Sequence, residues 1–578
     1  MNVGVNSSRL NLRLDGWRSR LLLIALVSCF AGLVGRAAWL QGFHAGFLQQ
    51  KGEERYSRVI EMPASRGIIR DRNGQPLAIS TPAESIWASR EDVELSPAQS
   101  KSLAGLLHMD PRELAQRLNG GGRGNFVYLR RQVTPEVAQQ IMDLKISGLF
   151  QQHGFHRAYP KGEETAHLVG FTDADDHGQE GVELAYQKDL GGSAGARRVI
   201  KDRAGHIIED VESIRVPRPG QDIALSVDGR IQHLAYRELR NAVMVHRAKA
   251  GAVVILDTQT GEVLALANYP DYDPNNREHL SGAQLRNRAI TDTFEPGSTL
   301  KPFTIATALE AGKVTPNTVI PTGGGQMTIG TSTIRDTHPF ASLTVAQVIQ
   351  HSSNVGAARI ALTLPSETLW NMFTDVGFGQ TPKLGFPGEA GGRVRPFRSW
   401  KPIEQATMSY GNGISVSLIQ LARAYTIFAN GGQLRPLSLT RVSTPPSGRQ
   451  VISSQTARQV TDMLELVVKP EGTAPAAQVK GYRVAGKTGT AHKVVGGRYA
   501  NRYVASFVGF APASAPRVLI AIMIDEPAGS SYYGGLVAAP VFSALMGNVL
   551  QMLAVPPDDP NSSLFDAPAA GAGSAEDT

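Results

Sequence analysis

Ser298 and Lys301, a hydroxyl and an amine three positions apart, are the residues in this chain best suited to chemistry. A serine hydroxyl attacks well only when a base takes its proton, and a lysine amine held neutral can be that base. At the start of a helix this spacing sets both side chains on one face. Ser352-Ser353-Asn354 then adds a second hydroxyl and an amide, and Lys487-Thr488-Gly489 a second cation beside another hydroxyl. A serine three residues before a lysine arises about once by chance in a chain this long, usually on a solvated helix face. The order of the three motifs and their settings carry the argument.

Those settings are specific. Phe294-Glu295-Pro296-Gly297 breaks the chain just before Ser298, Pro302 opens the apolar run Phe303 to Leu309, and Gly312 stops it. The pattern predicts turn, helix start, buried helix and glycine stop. Blander readings stand beside this one. Ser352 and Asn354 are both good helix caps, and Lys487 could be a solvated cation at a strand edge.

Gly481 to Thr488 also fits the phosphate-loop pattern G-x-x-x-x-G-K-T. Such a loop follows a buried strand and opens a helix whose amides hold phosphate. Val479-Lys480 is a poor end to a buried strand, and Thr490 to Tyr499 has no helical periodicity. The sequence argues against a nucleotide site.

The 578 residues leave room for two or more domains, and 42% hydrophobic with 19% charged residues is ordinary for a globular protein. A net charge of +7 is modest and dispersed, with no basic run interleaved with aromatics, so nucleic acid is not an expected partner. Cys29 is the only cysteine, which excludes an intramolecular disulfide and a cysteine metal site. The 13 histidines form no metal-binding motif.

Leu21 to Val34 is unbroken apolar or small sequence, and Ala37 to Leu40 extends it past Arg36. Leu21 to Leu40 can cross a bilayer if Arg36 reaches the surface. Arg9, Arg13, Arg18 and Arg20 precede it against a single Asp15, which places the bulk of the chain outside the cytoplasm. A cleaved signal peptide is the alternative; the length of the run and Trp39 in place of a small-residue cleavage site favour an anchor.

A mixed module follows from residue 42 to 217. Asn73-Gly74 predicts a hairpin turn, and Ser96-Pro97, Asp110-Pro111 and Thr134-Pro135 each predict a short capped helix. No catalytic set occurs there. From 220 to 555 the pattern predicts a helix over Val227 to Arg247 and strands at Ala252 to Leu256 and Val263 to Leu266. Helices dominate Phe294 to Gly431, and strands return near Arg483 to Thr490, Val504 to Phe510 and Val518 to Ile524. A closing helix over Pro540 to Leu553 precedes a tail, 556–578, predicted to be disordered. A sheet built from both ends of this region, with helices inserted between them, puts Ser298 in a cleft between two lobes.

With these motifs the chain resembles a class B penicillin-binding protein, a peptidoglycan transpeptidase, over nearly its whole length. Arg66 to Gly74 is similar to the family's first non-catalytic motif, and Gly178 to Glu183 with Leu190-Gly191 to a later one. Ser409-Tyr410-Gly411-Asn412-Gly413 and Leu421 to Tyr425 are similar to the stretch between the second and third active-site motifs. Gly35 to Gln41, Ser506 to Pro512 and Asp525-Glu526-Pro527 resemble the division-type, septal members; elongation-type members are close kin. Relatives often carry a second aromatic where this chain has Asn412.

The resemblance implies an α+β chain with five parts. These are a cytoplasmic N-terminus (1–20), a transmembrane anchor (21–40), a pedestal or dimerisation-type module (42–217), a transpeptidase domain (220–555) and the tail. The domain would pair an antiparallel sheet, flanked by helices, with an all-helical lobe. It would lie in the periplasm, with the anchor in the inner membrane. The implied reaction is attack of Ser298 on the D-alanyl-D-alanine end of a peptidoglycan pentapeptide stem, giving an acyl-enzyme that an amine of a neighbouring stem resolves. β-Lactams would acylate the same serine. Lys301 would take the proton, Ser352 would pass it on, and Asn354 would fix Lys301 and the substrate amide. Lys487 with Thr488 and Thr490 would hold the terminal carboxylate, with Gly489 and Tyr410 also lining the substrate site. The backbone amides of Ser298 and Thr490 would form the oxyanion hole. No cofactor or metal is implied; the implied partners are a polytopic glycan polymerase and other divisome membrane proteins.

Other classes keep part of this chemistry. A soluble β-lactamase would lack the anchor and pedestal, and a β-lactam sensor would need several spans and a cytoplasmic effector. A non-catalytic divisome scaffold would not need the whole motif set. A bifunctional enzyme would need a glycosyltransferase domain that the N-terminal module is too short to hold.

Overall fold

The computed structural model describes residues 16–43, 57–120, 126–201, 207–278 and 280–560. Arg9, Arg13 and Asp15 lie outside these, as does most of the tail. The apolar segment is helical over Gly16–Ala38 and continues to Phe43. No side chain of Gly16–Ala38 is buried, and Cys29 on it is exposed. It is the one described helix long and apolar enough to cross a membrane.

The pedestal holds two sheets. Ile69–Arg70 pairs with Pro76–Ser89 across the Asn73-Gly74 turn, where Gly74 takes a φ of +83°. Asp71 makes this turn a joint between modules. Its Oδ1 accepts the amides of Asn73 and Gln75, and its Oδ2 accepts that of Gly229 at the first turn of the Gly229–Val245 helix. The three expected short helices are Pro97–Leu106, Pro111–Asn119 and Pro135–Met142, capped by the side chains of Ser96, Asp110 and Thr134. Each cap satisfies an amide that the helix start leaves without a partner, worth about 1 kcal/mol. The two family-like stretches meet in an ion cluster without solvent access. The Nε atoms of Arg66 and Arg157 lie 2.5 and 2.7 Å from the two oxygens of Glu183, which is 0% exposed.

The catalytic region is built on a five-stranded antiparallel sheet. Its spatial order is Val263–Tyr269, Ala250–Asp257, Val518–Asp525, Arg498–Ala511 and Ala485–Val495. Ala250–Asp257 is buried at every position because both sheet faces are covered. Gly229–Val245 and Ala539–Met552 pack on one face and Leu418–Ala429 on the other. The second lobe packs Lys301–Glu310 against Asn354–Ala361, Ser366–Asp375 and Ser454–Val467. It is not purely helical. Gln326–Ile329 and Ser332–Arg335 form a small hairpin that the sequence reading missed.

The tail is also shorter than expected. Residues 556–560 are pinned: Asp558 accepts the amides of Arg483 and Ser514 through its two carboxylate oxygens, and the Asp559 amide donates to Gly481. One short side chain satisfies two loop amides there, which a composition rich in Pro, Asp and Ala does not reveal. Residues 561–578 lie outside the described set.

Candidate active site

Ser298 sits in a 3₁₀ turn, Gly297–Leu300, that runs directly into the Lys301–Glu310 α-helix. In a 3₁₀ turn residues three apart eclipse, so the pair is closer to alignment than a regular α-helix would bring it. Gly297 enters the turn at a φ of +56°, where a side chain would be strained. Lys301 Nζ lies 2.9 Å from Ser298 Oγ.

The second motif approaches from the loop between Val345–Gln350 and Asn354–Ala361. Nζ of Lys301 is 3.0 Å from Ser352 Oγ and 2.8 Å from Asn354 Oδ1, and it also donates to the Ser352 carbonyl. Ser352 holds a φ of +59°, which costs about 1 kcal/mol for a residue with a Cβ. That backbone state points its carbonyl and its hydroxyl at the same amine. The expected cap is present, but it is Ser353: its hydroxyl accepts the Gly356 amide, which leaves Ser352 and Asn354 free for Lys301.

Lys487 belongs to the edge strand Ala485–Val495 yet is 0% exposed, so the solvated-cation reading fails. Its Nζ lies 3.0 Å from Ser352 Oγ and 3.2 Å from Thr488 Oγ1. Ser352 Oγ therefore bridges the two lysines. Gly489 has no room for a Cβ, which would fall 2.4 Å from Ser506 Oγ and 2.9 Å from the Pro296 carbonyl. That close approach lays the strand against the serine turn. Because Gly486 to Thr488 are strand residues, no helix N-terminus exists there to cradle phosphate. Thr488 and Thr490 line the same cleft as Ser298, Ser352 and Asn354, although the Thr490 hydroxyl is occupied by the Gly534 amide. The cleft measures about 680 Å³. Tyr410 forms its wall, with ring centre 6.0 Å from Lys301 Nζ, and burial pushes its hydroxyl up to about 12.

The electrostatics favour a neutral base. Lys301 is wholly buried, and burial first, then the neighbouring Lys487, hold its amine well below the usual lysine range; Asp336 opposes this. Burial alone lowers Lys487 to about 7. A neutral amine has two N–H bonds and one lone pair. The Ser352 carbonyl and Asn354 Oδ1 can only accept, so they take the two N–H bonds. The lone pair is left for a hydroxyl proton.

Asp336 was not found from the sequence. It follows the Ser332–Arg335 strand and accepts the Ser353 hydroxyl at 2.6 Å and the Asn354 and Val355 amides at 2.5 and 2.9 Å. It thus anchors the second motif from outside it. An aspartate 17 residues ahead of Ser353 gives no local signal of this role.

Residues 251–547 match the family described as the penicillin-binding protein transpeptidase domain. The chain belongs to the penicillin-binding protein transpeptidase family. Residues 61–225 match the penicillin-binding protein dimerisation domain. The probable peptidoglycan D,D-transpeptidase PenA of Neisseria meningitidis is 44% identical over 548 residues, 94% of each chain. The peptidoglycan D,D-transpeptidase FtsI of Escherichia coli is 43% identical over 548 residues, 94% of this chain and 93% of that one. The apo transpeptidase domain of Burkholderia pseudomallei penicillin-binding protein 3 is 51% identical, covers 58% of this chain and 97% of its own, and has a TM-score of 0.54.

Proposed function

We propose that the protein is a class B peptidoglycan D,D-transpeptidase of the FtsI type, acting in septum synthesis. The observation that carries the mechanism is the single amine of Lys301 within 3.0 Å of both hydroxyls, Ser298 and Ser352. Ser298 Oγ attacks the penultimate D-alanine carbonyl of a stem peptide while Lys301 takes its proton. Ser352, hydrogen-bonded between both lysines, passes a proton to the departing D-alanine amine. Lys487, about half cationic at neutrality and drawn towards that form by a neighbouring anion, holds the terminal carboxylate with Thr488. The amides of Ser298 and Thr490 serve as the oxyanion hole, where one donor is worth about 10²–10³ in rate. An amine of a second stem then displaces Oγ and closes the cross-link. β-Lactams enter the first half of this sequence and stall there.

The apolar helix is one pass of the inner membrane, with the domains in the periplasm. The arginines before Leu21 support this orientation. The pedestal sets the height and direction of the cleft and meets the glycan polymerase and other divisome proteins. The deciding experiment is gel labelling of the full-length protein with a fluorescent penicillin, followed by a chase. A persistent adduct on the Ser298 peptide is expected. Bulk penicillin turnover with rapid return of the free enzyme would instead identify a β-lactamase.

A further inference from the structure

Ser298 and Lys301 stand side by side because the turn that carries them is 3₁₀, and Pro302 makes it so. In an α-helix the Ser298 carbonyl would accept the amide of residue 302, which is a proline and has no N–H. It accepts the Lys301 amide instead, which is the bond of a 3₁₀ turn. The same proline leaves a gap one residue on. The next 3₁₀ bond, to the Thr299 carbonyl, would also have to come from residue 302. Thr299 is buried, and a carbonyl away from water needs a donor.

The donor comes from another element. Tyr425, on the Leu418–Ala429 helix and 126 residues away in the chain, donates its hydroxyl to the Thr299 carbonyl at 2.6 Å. The ring is wholly buried and held in place by two others. Its centre lies 5.3 Å from that of Phe303 and 5.6 Å from that of Phe428, both edge to face. Burial keeps the hydroxyl well above the usual tyrosine range, so it stays protonated and remains a donor. Phe303 belongs to the helix that starts at Lys301, so one tyrosine is tied to the turn and to the helix behind it. Gly411 closes the turn from another side: at a φ of +91° it packs so near that a Cβ would strike the Gly297 carbonyl.

We propose that Tyr425 is a positioning residue: its hydroxyl replaces the amide that Pro302 lacks and fixes the turn in the register that sets Ser298 Oγ beside Lys301 Nζ. It touches neither the substrate nor a reacting atom. Without that hydroxyl the Thr299 carbonyl is satisfied only by unwinding towards the α-register, where the Phe303 amide is its partner. Residues three apart in that register fall about 60° short of alignment, and the hydroxyl drifts away from its base. The stretch from Leu421 to Tyr425 carries no reacting group, and this is its part in the chemistry.

The inference rests on acylation at Ser298, and the test keeps the two apart. Acylation of the full-length protein by benzylpenicillin is followed by rapid quench and intact mass, which separates the affinity of the first complex from the rate constant of acylation. Tyr425→Phe should lower the rate constant about tenfold, less than the roughly 10² of a 1 Å misplacement, and leave the affinity within about twofold. Phe428→Leu loosens the same aromatic cluster but keeps the hydroxyl, and its rate constant should stay near that of the wild type. A double-mutant cycle then links the tyrosine to the proline. Pro302→Ala restores an N–H at residue 302, so adding Tyr425→Phe to it should cost less than about threefold. A wild-type rate in Tyr425→Phe, an equal loss in Phe428→Leu, or the same tenfold loss with and without Pro302→Ala overturns the positioning role. A wild-type protein that benzylpenicillin does not acylate overturns the transpeptidase reading instead.

Discussion

Two lysines in one dry site have to divide their labour, and their surroundings do the dividing. Burial lowers the proton affinity of Lys301, and the neighbouring Lys487 lowers it further. Ser298→Ala should therefore fold but give no penicilloyl mass on the 298 peptide. Lys301→Ala should lose at least about 10³ in acylation rate, because members of one catalytic unit do not lose their effects separately. The pH profile follows from the same groups. Below about 7 Lys487 is charged and holds a carboxylate; as pH rises past that value the grip fails. Acylation by penicillin should thus decline on the alkaline side, while acylation by its methyl ester should not. A profile with the same alkaline limb for acid and ester would remove Lys487 from carboxylate binding. The sign for stability is opposite. The folded pKa of about 7 lies below the unfolded value of about 10.4, so this lysine makes folding more favourable as pH rises through that window.

At the scale of elements, Asp336 joins a hairpin to the helix that carries Ser352 and Asn354. Asp336→Ala should cost about 2 kcal/mol in thermal unfolding, since three charge-assisted bonds vanish. It should slow acylation about tenfold. It should also move the acid limb of the rate to lower pH, because Asp336 is the group that raises the Lys301 proton affinity. A mere packing defect would leave that limb in place. The Arg66–Glu183–Arg157 cluster gives a companion case. Glu183→Ala strands two buried guanidinium groups and should destabilise the pedestal by about 3–5 kcal/mol in calorimetry, with penicillin labelling largely spared. How much of this was legible follows from chain distance. The Ser298–Lys301 turn, the three short helices that open on a cap residue and a proline, and the central strands each announce themselves within a few residues. The hairpin ahead of the second motif, the grip of Asp558 and the role of Asp336 depend on residues brought together by the fold, and no local periodicity encodes them. Ser352 and Asn354 were legible as types, but only the structure shows that Ser353 takes the capping duty.

Across the whole molecule, the helix from Gly16 onward and the arginines beside it predict one orientation. A reporter enzyme fused after Gly52 should be active only when it is an exported type. Activity of a cytoplasmic-only reporter at that junction would reverse the topology. The central sheet has a further consequence, in time rather than space. Ala250–Asp257 is paired on one side with Val518–Asp525, which the chain brings in only after roughly 260 further residues. At about 20 residues per second, synthesis separates the two strands by on the order of ten seconds. Throughout that interval a wholly buried strand of the domain waits with one edge bare, and for most of it Lys487, on the later Ala485–Val495 strand, has not yet been made to reach Ser298. The nascent protein is thus both sticky and chemically silent until its end emerges. Chains cut short before Val518 should be found in aggregates or degraded, and none should take up penicillin.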